Sequence, residues 1–243
     1  MNMQQEFSRK KAAFITGASS GIGAAVARDL AKHGFNLALV ARRSELLDQV
    51  ATECIALGAE VLQFQVDLAV RSDEALKIAI EETAAKFGGL DSLINNAGKF
   101  TGGNIDSLDL IEAERVFEVN VLASLRATRH AAKHLKASKS GSVIFISSVA
   151  GHLSFAGSGV YCSSKHALNG LSGSVFEDLR EYGIKVSSIC PGYVNTSTPS
   201  ANLDAKKMIQ PDDVAHTVRF IIDFPATGCP TEITILPQRN PYK

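Results

Sequence analysis

Tyr161 and Lys165 are the two residues of this chain whose types and spacing most directly suggest chemistry. Four positions apart on a helix, they lie on one face. A free tyrosine has a pKa of about 10, too high to cycle its proton easily near neutrality. A neighbouring ammonium favours tyrosinate and draws that value down. A phenol so tuned can give its proton to a developing oxyanion and take it back, which is general acid–base work. The same spacing also describes an ordinary exposed helix pair, so the pair gains meaning only from its companions.

A second group is built for binding. Residues 16–23 read Thr-Gly-Ala-Ser-Ser-Gly-Ile-Gly, between a short apolar run and a helix-length segment. Gly17, Gly21 and Gly23, with Ser19, Ser20 and Ile22 among them, form a GxxxGxG turn. Glycines let the backbone approach a pyrophosphate, whose charge then meets the unpaired N–H groups of the following helix. The second strand ends in Ala41-Arg42-Arg43. An acid near this point would grip ribose hydroxyls and select NAD; an arginine accommodates a 2′-phosphate. Guanidinium forks suit phosphate geometry, so Arg42 and Arg43 favour NADP(H). Ser44 is placed to cap the helix that follows.

The elements that must position these groups alternate along the chain. Strand-length apolar runs fall at residues 12–16, 36–41, 61–66, 92–95, 142–147, 186–190 and 232–236. Helix-length segments fall at 21–33, 44–57, 72–87, 110–135, 159–182 and 211–222. Gly34, Gly58, Gly88 and Gly183 mark helix ends, and Pro211 opens the last helix with two acids behind it. Strand–helix–strand repetition predicts an α/β fold, a doubly wound parallel sheet of the Rossmann type with about seven strands and helices on both faces. Residues 1–10 read as a frayed polar tail and 11–243 as a single dinucleotide-binding catalytic domain.

Five motifs in order give the chain a family likeness. They are the turn at 16–23, Asn95-Asn96-Ala97-Gly98, Asn120, the Ser147–Lys165 stretch with Ser148 thirteen residues before Tyr161, and Pro191-Gly192-Tyr193-Val194-Asn195-Thr196. Together they resemble the short-chain dehydrogenase/reductase family in its single-domain branch, over about residues 10–236. The resemblance implies an oxidoreductase moving hydride between NADP(H) and a carbonyl or alcohol. It implies that Tyr161 is the acid in reduction and the base in oxidation, and that Lys165 both tunes it and binds the nicotinamide ribose. Ser148 would hold the substrate oxygen beside Tyr161, and Asn120 would support a water-linked proton path to the lysine. Asp67 and Leu68 would sit at the adenine. Asn95, Ala97 and Gly98 would line the cleft beside the adenosine. Pro191, Gly192, Val194 and Thr196 would flank the nicotinamide amide and the pyrophosphate. The chain is also similar to 3-oxoacyl-carrier-protein reductases, which makes a ketone reductase the leading reading. An NADP(H)-binding redox sensor without turnover and a sugar-nucleotide epimerase-like enzyme are the alternatives.

Composition narrows the partners. The 243 residues are 45% hydrophobic with 25 basic and 25 acidic side chains. That balance gives no electrostatic footprint for nucleic acid or an anionic membrane, and no apolar run reaches the about 18 residues of a membrane span. Four separated cysteines without a CxxC pair, and a polar start, fit reduced thiols in the cytoplasm. His130 and His134 share a helix face with no carboxylate or cysteine at ligand spacing and with Arg126, Arg129 and Lys133 around them, so no metal is expected. His152 follows Ser148 closely enough to point toward the substrate cleft. Residues 197–210 are shorter than the substrate lid of many relatives, and the end at 236–243 lacks their glycine-rich stretch. A homodimer through the helices carrying Asn120 and Tyr161 is expected, or a homotetramer, the latter weakened by that C-terminus.

Overall fold

A computed structural model describes residues 9–196 and 203–243. Seven parallel strands are present: β1 (Ala12–Thr16), β2 (Asn36–Ala41), β3 (Val61–Gln65), β4 (Ser92–Asn95), β5 (Ser142–Ile146), β6 (Lys185–Pro191) and β7 (Glu232–Ile235). Their order across the sheet is β3-β2-β1-β4-β5-β6-β7. The chain therefore builds outward from β1 in one direction, then returns and builds outward from β4 in the other. The crevice beyond the C-terminal ends of β1 and β4 is the switch point where such sheets bind ligands.

Alternating side chains explain why helices cover both faces. Ala13 and Ile15 of β1 face one way, into a core with Val26 and Leu30 of α1 (Gly21–Lys32), Leu47 and Val50 of α2 (Ser44–Ala56), and Val214 and Val218 of α7 (Pro211–Asp223). Phe14 faces the other way, into a core with Ile80 of α3 (Glu74–Phe87), Leu135 of α5 (Ala123–Ser138) and Leu168 of α6 (Gly159–Leu179). Successive strand residues point to opposite faces, so a strand apolar on both faces needs two layers of helix. The edge strand β3 carries exposed Gln63 and Gln65, because its outer side has no neighbour.

The single helix expected over 110–135 is divided. α4 (Leu110–Phe117) passes into a π-helical turn, Glu118–Leu122, before α5 begins. Asn120 lies within that turn, fully buried. A π turn inserts a residue into the helical repeat and re-aims the side chains around it. The helix expected over 159–182 ends at Leu179, and residues 180–182 tighten into a 3-10 turn. Ser44 is the first residue of α2 rather than its cap, a position held by Arg43. Residues 1–8 of the expected tail lie outside the described residues, but its last two are anchored. Arg9 donates to both Asp91 carboxylate oxygens at 2.6 and 3.0 Å, and Lys10 reaches the Gly58 carbonyl at 3.0 Å.

Gly23 shows how tightly the turn is packed. A Cβ there would stand 2.4 Å from the Gly17 carbonyl oxygen and 2.5 Å from Asn96 Nδ2. Gly23→Ala is expected to cost about 1–3 kcal/mol through overpacking against backbone, read as a lowered thermal midpoint; an unchanged midpoint would show that the turn yields.

Candidate active site

The cleft beyond β1 and β4 opens into a cavity of about 750 Å³. Its floor is the glycine turn. Gly17 and Gly21 take φ of +66° and +54°, a region that disfavours other residues. A Cβ at Gly17 would lie 2.8 Å from Ala97 Cα, so glycine is required by both conformation and space. α1 then starts with no side-chain cap on its N-terminal N–H groups and no acid in its first turn. Ser20, at the cap position, instead accepts a 2.8 Å hydrogen bond from the Arg43 guanidinium, which also approaches Ser19 at 3.3 Å. The result is a glycine cradle, an uncapped helix start and a guanidinium side by side, a donor set that fits a dinucleotide carrying an extra phosphate.

Arg42 and Arg43 are not equivalent. Both are exposed and line the cavity, but Arg43 is hydrogen-bonded to the turn, whereas Arg42 has its Nε 4.0 Å from Asp67. Asp67 accepts from the Ala69 amide at 3.0 Å, which shapes the loop after β3, and Leu68 beside it is buried. Both residues line the cavity, as do Ala97, Gly98, Pro191, Gly192, Val194 and Thr196. Thr196 faces Gly21 so closely that a Cβ on that glycine would meet its Cγ2 at 3.1 Å.

Three expected cofactor or catalytic residues lie behind the wall. Gly23 is a packing residue. Asn95 is buried in β4, donating to Thr128 Oγ1 of α5 at 3.0 Å, and does not line the cavity. Its neighbour Asn96 does, because strand side chains alternate and only one of the two can face the cleft. Asn120 is the third. Its Nδ2 donates to Ser164 Oγ at 2.9 Å and to the Lys99 carbonyl at 3.0 Å, and its Oδ1 accepts from the Lys99 amide at 2.7 Å. That side chain braces the loop carrying Ala97 and Gly98 against α6.

Ser148, Tyr161 and Lys165 converge on the cavity. Ser148 follows β5 and caps a short turn, accepting from the Ala150 amide at 3.1 Å. Lys165 reaches inward from α6, its Nζ 5.8 Å from the centre of the Tyr161 ring and 2.9 Å from the Ile146 carbonyl to which it donates. The electrostatics differ from the expectation of a lowered tyrosine. Burial pushes the Tyr161 phenol above its ordinary value, and a hydrogen bond with Ser148 pulls the other way. Burial also brings the Lys165 amine down to about 8, with Cys190 opposing. Desolvation is the largest influence on both groups, which sit in the wall of the cleft.

Several cavity residues carry no signal in the sequence. Phe100 meets the Tyr161 ring edge-on at 5.1 Å and forms an apolar rim. Lys99 is held by Glu112 at 2.9 Å, and the same carboxylate pairs with Arg115, a further lining residue. His152 points away from the cavity, to Glu232 of β7 at 3.1 Å. The His130/His134 face does meet carboxylates, Asp73 at the N-cap of α3 at 2.9 Å and Glu81 of α3 at 3.3 Å. Residues 197–202 of the expected short lid lie outside the described residues. The C-terminal segment packs beside the described ends of that stretch: the Asp204 amide donates to the Pro241 carbonyl at 2.9 Å, and Tyr193 and Tyr242 stack edge-on at 5.5 Å.

Comparison with known proteins agrees with this architecture. Residues 11–207 match the short chain dehydrogenase family. An oxidoreductase of Methylorubrum extorquens is 36% identical over 228 residues, covering 87% of this chain and 90% of its own. A short chain dehydrogenase from Burkholderia cenocepacia, solved in complex with NADP, superposes with a TM-score of 0.84 at 32% identity, covering 93% of this chain and 95% of that one. An alcohol dehydrogenase from the archaeon Thermococcus sibiricus, complexed with 5-hydroxy-NADP, superposes at 0.86 with 28% identity over 96% and 97% of the two chains. The chain belongs to the short-chain dehydrogenase/reductase family and is an oxidoreductase acting on small molecules. No helix among the described residues is long and apolar enough to cross a membrane.

The depressed lysine carries a linkage consequence. With a folded pKa of about 8 and an ordinary value of 10.5, the unfolded chain holds this proton more tightly between those limits. Stability therefore rises with pH from about 8 to 10.5, and the full cost of the buried ammonium is present below 8. Lys165→Met lacks this rise. In urea unfolding, its stability relative to the parent should fall by up to about 3 kcal/mol across that window; a pH-independent difference would contradict the burial argument.

Proposed function

We propose that the chain is an NADP(H)-dependent carbonyl reductase or alcohol dehydrogenase, with residues 11–243 acting as one catalytic domain and reduction of a ketone as the favoured direction. The observation that carries this reading is the meeting of Ser148, Tyr161 and Lys165 in one cavity with the glycine turn and Arg43. When bound, the nicotinamide supplies or accepts the hydride. Gly17, Ser19, Ser20, Gly21 and Ile22 receive the pyrophosphate at the α1 N-terminus, and Arg43 faces the 2′-phosphate, with Arg42 outside it. Asp67 and Leu68 flank the adenine. Ala97 and Gly98 line the cleft beside the adenosine, and Pro191, Gly192, Val194 and Thr196 flank the nicotinamide amide and the pyrophosphate.

Ser148 and Tyr161 hold the substrate oxygen between two hydroxyls. Tyr161 passes its phenolic proton to that oxygen as negative charge develops, and recovers it in the reverse direction. A phenol above its ordinary pKa stays protonated across the neutral range, the form from which it gives its proton in reduction. Lys165 donates to the Ile146 carbonyl and leaves its remaining N–H groups for the nicotinamide ribose and the proton path. Asn120 acts through position, keeping the Ala97–Lys99 loop at its distance from α6.

Substrate class follows from the rim. Phe100 lies against Tyr161 and offers an apolar surface, while Lys99 and Arg115 are engaged by Glu112. A ketone with an apolar substituent fits this rim. Arg180, the basic residue nearest the end of the catalytic helix, is paired with Glu177 at 3.2 Å and lies over Phe176, which weakens the case for docking an acidic acyl carrier. The intact Tyr161/Lys165 pair favours turnover over a sensor role.

Tyr161→Phe removes one hydroxyl. It is expected to lower turnover of ketones by about 10²–10⁴-fold while NADPH binding, followed by nicotinamide fluorescence, stays near that of the parent. Unimpaired turnover in the variant would remove Tyr161 from the reaction.

A further inference from the structure

His152 from the turn after β5, Cys190 near the end of β6 and Glu232 at the start of β7 bring their ligand atoms within 4.8 Å of one another. His152 Nε2 is 3.1 Å from a Glu232 carboxylate oxygen and 3.6 Å from Cys190 Sγ. We propose that this cluster is a binding site for a zinc-type divalent cation, ligated by the Cys190 thiolate, the His152 imidazole and the Glu232 carboxylate, with the fourth position open to water. It is distinct from the hydride-transfer cavity, whose lining contains none of the three.

The first argument is metric. Zinc binds thiolate at about 2.3 Å and imidazole or carboxylate at about 2.0–2.2 Å. A tetrahedron with those bonds has S···N edges of about 3.5 Å and N···O edges of about 3.3 Å. The two distances from His152 Nε2 are within a few tenths of an ångström of those edges, and the Cys190 Sγ to Glu232 carboxylate edge lies within 4.8 Å. Thiolate, imidazole and carboxylate together form a donor set suited to zinc, not to a hard cation such as magnesium.

The second argument is hydrogen-bond accounting. A neutral imidazole nitrogen has one proton or one lone pair. His152 Nε2 is faced by Asn169 Nδ2 at 3.1 Å, by the Glu232 carboxylate and by Cys190 Sγ. As an acceptor from Asn169 it would leave its lone pair close to a carboxylate. As a donor to Glu232 it would meet the Asn169 amide N–H groups head-on. Asn169 is held in this sense because its Nδ2 also donates to the Gly151 carbonyl at 3.3 Å, which can only accept, while its Oδ1 faces the Ser188 hydroxyl at 2.9 Å. A cation among the three gives the carboxylate, the nitrogen and the sulfur a common partner, and the Asn169 amide keeps its bond to the Gly151 carbonyl.

The third argument is preorganisation. β6 and β7 pair with Ser188 opposite Glu232, so Cys190, two residues on, shares a face with both. His152 arrives from the turn after β5, at residues 149–151. Cys190 is buried, whereas His152 and Glu232 are each 43% exposed, leaving an entry path from solvent. An ion here would tie the turn carrying Ser148 to the strand leading into Pro191 and Gly192, staple fashion, across two walls of the catalytic cleft.

The test uses the full chain, stripped with chelator and kept reduced by a phosphine, titrated with Co²⁺ under anaerobic conditions. One equivalent per chain should produce a near-ultraviolet thiolate-to-cobalt charge-transfer band that Zn²⁺ removes by displacement. Cys190→Ser should abolish the band, and Glu232→Gln and His152→Gln, both at exposed positions, should each weaken binding at least about tenfold. Cys229→Ser, at a partly accessible thiol outside the cluster, should leave the band intact. Absence of the band in the folded parent chain, or its persistence in Cys190→Ser, would overturn the assignment.

Discussion

The junction of β1 and β4 is the constraint on which the cleft depends. Thr16 ends β1, and its hydroxyl donates to the Ile94 carbonyl and accepts from the Asn96 and Ala97 amides at 3.0 and 3.1 Å. Asn96 answers with its own amide, donating to the carbonyls of Thr16 at 2.9 Å and Gly17 at 3.1 Å. At this point the two strands splay, and their last backbone groups lose strand partners. Buried backbone groups left unpaired are costly, and these five bonds satisfy them while fixing the glycine turn against the Ala97–Gly98 loop. The close packing of Gly17 on Ala97, and of Gly23 on Gly17 and Asn96, follows from that stitching.

From this junction the functional groups follow in layers. The turn leaves the α1 N-terminus uncapped and lets Arg43 lie across Ser20, so positive potential concentrates where phosphate would sit. On the other side, Asn120 ties the Lys99 backbone to Ser164, one residue before Lys165. The π turn makes this possible by rotating Asn120 inward within a helix that otherwise presents Leu122 and Leu125 to solvent. Burial then sets the proton chemistry: it keeps Tyr161 protonated and weakens the hold of Lys165 on its charge.

Much of this was legible in the residues because the demands were local. The glycine turn, the helix-ending glycines and the Tyr161/Lys165 pair are short-range patterns with direct backbone or side-chain meaning. A parallel sheet with helices on both faces followed from alternation of strand and helix. What could not be read needed the third dimension. Asn95 and Asn96 are adjacent, and only the facing of β4 decides which reaches the cleft. Arg42 and Arg43 likewise differ in direction, not in type. The π turn adds one residue to a repeat that periodicity reads as continuous helix. His152, Cys190 and Glu232 stand 38 and 42 residues apart and meet only because β5, β6 and β7 are neighbours in the sheet.

The central claim is that the β1–β4 crevice holds a phosphorylated dinucleotide through Arg43. The most direct measurement is a fluorescence titration of the parent, Arg43→Ala and Arg42→Ala with NADPH and NADH in parallel. The account predicts tighter binding of NADPH by the parent, a loss of that preference of about tenfold or more in Arg43→Ala, corresponding to about 1.4 kcal/mol, and a smaller loss in Arg42→Ala. Equal affinity of the parent for both nucleotides, or an undiminished preference in Arg43→Ala, would contradict it.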